Sequence, residues 1–385
     1  STSRILEARI NQHFQDTSVA RAFDEGLLQL FTPVSFGEDW EHFLGVATHL
    51  YIPNSTGFNI ATAKRLVDEA HKPAAPLLDI SYAWEGIGPD AVAIIAPVMN
   101  DPAPEIAFAA ARAAAFIGDS SAIQVLTQMA QNSHNPFQLA AVQTLGEMPD
   151  SPEINQILRT LINNEETLVR VEAYRILAGR QDTSIYTRLV PGNEPATAKF
   201  VLDIVPSTGK PLIYATRRGV PRIAVIGGKP ALSLPVLFTA FKNRLSISTA
   251  PNGRQLTIYY RGPQTPTAIN VKSEPDIAEL IARLGGDGPV DQANLNFSYC
   301  DIVAMLQKLA DSQQITAYAS ATDPTPAPTP FILQPLSNNT QQIDEAPLIP
   351  EKSRDQTDTP TSLPSATTLP SDQIGAAPTG TMDRQ

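Results

Sequence analysis

Between Pro53 and Val190 the apolar residues recur at helical spacing. Three aspartates, Asp119, Asp150 and Asp182, each precede a Ser or Thr, and apolar residues follow at +4 and +7: Ile123 and Leu126, Ile154 and Ile157, Tyr186 and Leu189. Asp with Ser or Thr offers side-chain acceptors to the free N–H groups of a helix start, and this spacing then places the apolar side chains on one face. Upstream of each Asp lies a second helix with small residues and Leu at its packing positions: Ala110, Ala111 and Ala114; Ala141 and Leu145; Ala173 and Leu177. The unit recurs roughly every 32 residues. Two short helices cannot bury their apolar faces alone, so successive pairs are expected to stack as an α-solenoid. A fourth, degenerate unit runs from Ala74 to Met99, and the solenoid is set at 53–190.

The flanks have a different rhythm. Residues 1–52 predict a helix (RILEARINQHF), a strand (GLLQLFTP) and a second helix (EDWEHFLGVATHL). From Lys199 to Thr267, β-branched runs punctuated by Gly, Pro and Asn predict strands: KFVLDIV, PLIYAT, RIAVIG, RLSIST and RQLTIYYRG. The PNG at 251–253 marks a hairpin turn between the last two. Two helices follow, DIAELIARLG and DIVAMLQKLADS, and in the second Ile302, Met305, Leu306 and Leu309 form one apolar stripe. From Thr322 the composition shifts to Pro, Thr, Ser, Gln and Asp, with Phe331 as its only aromatic. Such a segment buries too little apolar surface to offset its ordering entropy, so 322–385 is expected to be a disordered tail.

Composition narrows the classes. Of 385 residues 42 % are hydrophobic but only 17 % charged, below the roughly 25 % of an average globular chain, which suits assembly or a long uncharged segment. The 39 acidic and 28 basic residues give a net charge of -11 without a cluster of Lys and Arg, which argues against a general nucleic-acid binder. One cysteine, Cys300, excludes an internal disulfide framework and a cysteine-based zinc or iron–sulfur site. No apolar run approaches the roughly 20 residues of a helical membrane span, so no integral membrane segment is expected. The chain opens on Ser1, which leaves room for a leader or upstream domain.

Candidate chemistry is sparse. The histidines, His13, His42, His49, His71 and His134, are dispersed, and His42 and His49 stand two helical turns apart, too far for chelation from one helix face, so structural roles are expected. The STGK at 207–210 lacks the earlier glycine of a phosphate-cradling loop and runs into Pro211. It reads as a turn, as does Gly227-Gly228-Lys229-Pro230. Cys300 stands at a helix start beside Asp301, where a partly packed, cap-adjacent role is expected. Glu165-Glu166 and Asp24-Glu25 read as solvated or dipole-compensating pairs. Arg112, Arg170 and Arg175 either bind acidic partners or pack between neighbouring units. No catalytic, cofactor-binding or metal residue is assigned, and no cofactor is expected.

Two resemblances add to this. The solenoid, above all Val169 to Gly179 (VRVEAYRILAG), resembles HEAT repeats. The flanks resemble the flagellar P-ring protein, the periplasmic ring of the basal body. The resemblance rests on Ile10-Asn11, Phe14, Ala20-Arg21-Ala22, Asp24 and Gly26; on Ala215 to Gly228 and Leu234 to Ser248; and on Asp276 to Gly285 and Asp301 to Ser320. The flanking stretches that contain these segments span roughly 160 residues, and the segments keep the family's order. The family's long amino-terminal part and glycine-rich motif are absent, and the solenoid stands where that family runs almost directly from helix to strand.

The resemblance implies an α+β protein whose β-rich domain is split, 1–52 and 191–321, around an inserted HEAT-like solenoid. It further implies a non-enzymatic, periplasmic structural component that forms homo-oligomers and contacts protein partners such as basal-body components. A HEAT-type adaptor for one protein partner is the alternative, and a bilin-lyase-like activity a remote third.

Overall fold

The computed structural model describes residues 1–335 except 38, 193–196, 252, 263–266, 289–294 and 321–322. The first flank forms α1 (Thr2–Phe14), β1 (Ala20–Ala22), β2 (Leu28–Leu30) and α2 (Trp40–Thr48). The expected strand is thus three residues long, and it pairs antiparallel with a strand that the sequence pattern did not reveal. The outer edge of β1 is met by α1 side chains. The Asn11 amide donates to the Ala20 carbonyl (3.0 Å) and accepts from its N–H (2.8 Å), and Glu7 accepts from the Ala22 N–H (3.2 Å). Ile10, Val19, Ala20, Phe43 and Ala47 make a small core, with Phe14 and Phe36 against the Phe43 ring. Arg9 ties this flank to the helical region, donating to the carbonyls of Tyr51 (2.8 Å) and Gly86 (3.3 Å).

Next come α3 (Thr56–Ala70), α4 (Leu77–Ile87), α5 (Pro89–Ile95), α6 (Pro104–Ile117), α7 (Ser121–Gln131), α8 (Gln138–Glu147), α9 (Pro152–Leu161) and α10 (Thr167–Gly179). Helices α4, α6, α8 and α10 lie side by side, with α7 packed on α6 and α8, and α9 on α10. All seven small and Leu positions anticipated for the packing faces of α6, α8 and α10 are buried. Small residues there let the backbones close in: a Cβ added at Gly146 in α8 would stand 2.5 Å from Ile176 Cδ1 of α10.

The third expected unit is corrected. After Asp182 the chain forms not a helix but β3 (Tyr186–Pro191), and Tyr186 and Leu189, expected to be buried, are 65 % and 64 % exposed. The helical stack therefore ends at Gly179 rather than 190. Asp182 does not cap a helix; it accepts both prongs of Arg159 (3.0 and 2.7 Å) and the Ser184 N–H (2.9 Å), which fixes the chain's exit into a sheet. The Arg159 hydrogen bonds hold the Asp182 carboxyl down at about 2, below the ordinary value of about 3.9. A folded-state value below the unfolded one gives stability that is present above about pH 4 and lost as pH falls towards 2. Urea midpoints of Asp182→Asn and the native chain should therefore differ above that window and converge within it. A gap that does not change with pH would refute this role.

The remaining strands are β4 (Ala198–Val205), β5 (Leu212–Ala215), β6 (Arg222–Ile226), β7 (Ala231–Leu232), β8 (Leu237–Ala240), β9 (Leu245–Thr249), β10 (Leu256–Tyr260) and β11 (Ile269–Ser273). Beyond them lie α11 (Ile277–Gly285), α12 (Tyr299–Asp311), β12 (Ile315–Ser320), β13 (Asp323–Pro328) and β14 (Phe331–Leu333). β9 and β10 pair antiparallel across 251–253, as the PNG signal anticipates. The five-stranded sheet has the order β14-β5-β6-β4-β3, with β4–β6 and β14–β5 parallel. Its inner strands are covered on both faces, which explains their unbroken apolar runs. Val205, Leu212, Tyr214, Ala224 and Ile226 join the core of the helical stack. The alternate residues Leu202, Ile213, Ala215, Ile223 and Val225 join the core of α11 and α12, where the Ile302, Met305, Leu306 and Leu309 stripe is fully buried.

Part of the segment expected to be a disordered tail is corrected: 323–328 and 331–333 form strands. β13 pairs with β12, and β14 pairs with β5. Proline is tolerated in β13 because that strand lies at the edge of its sheet. The rest of the tail, 336–385, lies outside the described residues. A single core shared by 1–52 and 191–321 is not among the three described apolar clusters: the first flank closes around Ile10 and Phe43, and the second around α11 and α12.

Candidate functional site

A group of interacting charged side chains, with His42, Glu85 and Arg112 buried at its centre, lies where the first flank meets the stack. Asp39 caps α2, accepting the His42 N–H at 3.1 Å, and so stands beside the imidazole one turn in. A Cβ at Gly45 would lie 2.5 Å from the Tyr82 ring, so glycine there lets α2 settle closely on α4. That approach brings His42 Nε2 to both oxygens of Glu85, at 2.8 and 2.9 Å. Arg112 of α6 reaches Glu85 at 3.6 Å and donates to Ser81 Oγ at 3.3 Å. Its guanidinium lies between the Tyr82 and Phe116 rings, 4.6 and 4.7 Å from their centroids. Phe116 and Phe36 also flank His42. Glu147, at the end of α8, completes the group. Its side chain reaches the surface, yet desolvation, reinforced by the Asp39 and Glu85 charges, pushes its carboxyl above the ordinary value against the opposing pull of His42 and Arg112.

Elsewhere the residues singled out in the sequence are spent on structure. Arg170 is buried, donating to the Ile162 carbonyl (2.8 Å), the Lys210 carbonyl and Ser207 Oγ (3.3 Å), so it joins the last helix pair to the sheet, whereas Arg112 packs between units. Arg175 pairs with Glu172 one turn away. The STGK segment is the β4–β5 turn, seated on the α9–α10 turn by Ser207 and Thr208 bonding to Asn163. Gly227 ends β6 with φ +73° and would bring an added Cβ to 3.0 Å from the Gly209 carbonyl. His71 Nδ1 and Nε2 lie 2.8 Å from Val67 O and Asp101 Oδ2, acceptors that favour the charged ring and raise its pKa. His13 is pushed down to about 4 by burial and by Arg9. His49 bonds back to Gly45 O, and His134 sits in the exposed α7–α8 turn. Cys300 is exposed rather than partly packed. It lies just after the start of the Ser298–Asp301 capping box of α12. Asp24 accepts from the Gly26 and Leu27 N–H groups, and Glu166 stands at the start of α10.

Sequence reasoning missed Glu85 and Glu147, which no local spacing connects to His42. The Asp39 cap signal alone places one carboxylate beside that histidine.

A family model for HEAT repeats matches residues 83–137, a stretch containing α5, α6 and α7. This supports a HEAT-like reading of the helical stack. No curated protein and no solved structure matches the chain. No described helix is long and apolar enough to cross a membrane.

Proposed function

We propose that this chain is a non-enzymatic structural protein that acts through protein–protein contacts, with its HEAT-like stack as the rigid support and its first flank as the contact surface. The observation that carries this is where large apolar side chains remain uncovered. Of fourteen that are exposed among the described residues, eight lie in 1–52, including Phe23, Phe31, Val34 and Trp40. Scattered exposed apolar residues are ordinary, whereas their concentration in one flank of the chain favours that flank as the place where a partner is met. Val34 is 98 % exposed.

The finer reading is a periplasmic component related to the flagellar P-ring, assembling with copies of itself. Its support is the order of the resembling segments along the chain: first α1 to β2 in the first flank, then the β5–β6 region, the β8–β9 hairpin, α11, and α12 with β12. A closed ring would repeat one heterologous contact. Light scattering after size exclusion tests both levels. Self-assembly predicts particles many times the 41.4 kDa of one chain, reduced to monomers by Val34→Asp with Trp40→Ser. A native chain that stays monomeric at all concentrations defeats the ring reading, and leaves an adaptor whose partner binding must then fall with the same two substitutions. Assemblies unaffected by them would remove the first flank as the contact surface.

A further inference from the structure

The polar group around His42 has a feature that a structural salt bridge does not use. His42 Nε2 is committed to Glu85 through both carboxylate oxygens. A carboxylate only accepts, so Nε2 carries a proton, and Nδ1 is the ring nitrogen left to take a ligand. Nδ1 faces Asp39 Oδ2 at 3.8 Å, too far for a hydrogen bond. Asp39, His42 and Glu147 each offer one ligand atom, and these atoms all lie within 4.8 Å of one another. Two carboxylates thus converge with one imidazole nitrogen on a single point.

The geometry points to a binding site for one divalent transition cation of the zinc class, held by Asp39, His42 Nδ1 and Glu147, with Glu85 as the carboxylate that orients the imidazole. Ligands about 2.0–2.1 Å from zinc stand about 3.3 Å apart in a tetrahedron, so small side-chain adjustments close the set. A carboxylate on the far nitrogen is the usual partner of a metal-bound histidine, because it fixes tautomer and ring direction. Charge agrees: the carboxylates of Asp39, Glu85 and Glu147 outnumber the guanidinium of Arg112, an acidic surround suited to a cation. The nitrogen ligand favours zinc-like ions over calcium or magnesium, which prefer all-oxygen sites. Three protein ligands leave the fourth position to water or to a partner's side chain. The ligands come from α2 and from α8, so the ion would fasten the first flank to the helical stack. This inference rests on the local geometry and stands whether or not the chain assembles.

The test uses the full chain, free of affinity tags and treated with a chelator, titrated with Zn2+ against a chromophoric competitor. One equivalent should bind, and Zn2+ should raise the melting temperature. Glu147→Gln, at a position that reaches the surface, should weaken binding at least tenfold and abolish the thermal shift. Asp39→Ser removes a ligand but keeps a helix cap, and should do the same. Glu153→Gln, a remote surface change, should bind as the native chain does. The proposal is overturned if the native chain shows no saturable uptake, if the Glu147 and Asp39 variants bind like it, or if Mg2+ or Ca2+ saturates the site as readily as Zn2+.

Discussion

Asp203→Ala should destabilise the protein by about 3–5 kcal/mol, the cost of breaking a buried charge pair from one side. Asp203 lies on β4 with no exposure and accepts from three elements: the Tyr174 hydroxyl of α10 (2.6 Å), Thr187 Oγ1 of β3 (2.8 Å) and the Arg222 guanidinium of β6. It is the polar joint between the last helix of the stack and the sheet that covers it. Burial, and then the charge of Asp203, drives the Tyr174 phenol far above its ordinary value, so that hydroxyl remains a donor throughout the working range. Without the carboxylate, a fully buried hydroxyl and a largely enclosed guanidinium lose their partner together. Tyr174→Phe removes one donor and leaves Asp203 with Arg222 and Thr187, so its cost should stay within the roughly 1.5–3 kcal/mol of a hydrogen bond to a charged group. Urea midpoints for the two variants decide this. If Asp203→Ala is no worse than Tyr174→Phe, the carboxylate does not organise the joint.

The sequence carried the elements whose burial is local in character. Ala110, Ala111 and Ala114 share a helix face, and Leu212 to Ala215 form a run buried on both sides. Helical spacing and β-branched runs report such burial directly. It failed where a distant partner overrode the local signal. Asp182-Thr183 imitates a helix start, but β4 pairs with residues 186–191 along its length, and Arg159 occupies the carboxylate. The composition from 322 onward has the character of a disordered segment. Even so, the β12 edge accepts 323–328, and Gln334 anchors the residues after them by accepting from the Arg217 and Arg218 N–H groups. The candidate cation site was hidden for the same reason. His49, the apparent sequence partner of His42, points elsewhere, while Glu85 and Glu147 come from α4 and α8 and meet His42 only once the stack has formed.

Excising residues 58–190 and rejoining the chain with a short linker should abolish cooperative folding. The resemblance of the flanks to one family implies the opposite, since an inserted solenoid could then be removed from a domain that is complete without it. The packing predicts otherwise. Val205, Leu212, Tyr214, Ala224 and Ile226 are buried against the stack. Opening that face exposes five large or small apolar side chains, the larger ones worth about 1.5–3 kcal/mol each. Asp203 would lose Tyr174, and the turn at 207–210 would lose Arg170 and Asn163. The first flank fares no better, because Arg9 would lose the Gly86 carbonyl and His42 would lose Glu85, leaving a core of five fully buried apolar residues. Together these losses rival the roughly 5–15 kcal/mol by which a domain is stable. The α11–α12 side of the sheet keeps its own cluster, so residual structure without a sharp transition is the expected thermal melt by circular dichroism. A single steep transition with a native-like sheet signal would show instead that 1–52 and 191–335 complete one another, and that the helical stack is an insertion in a self-sufficient domain.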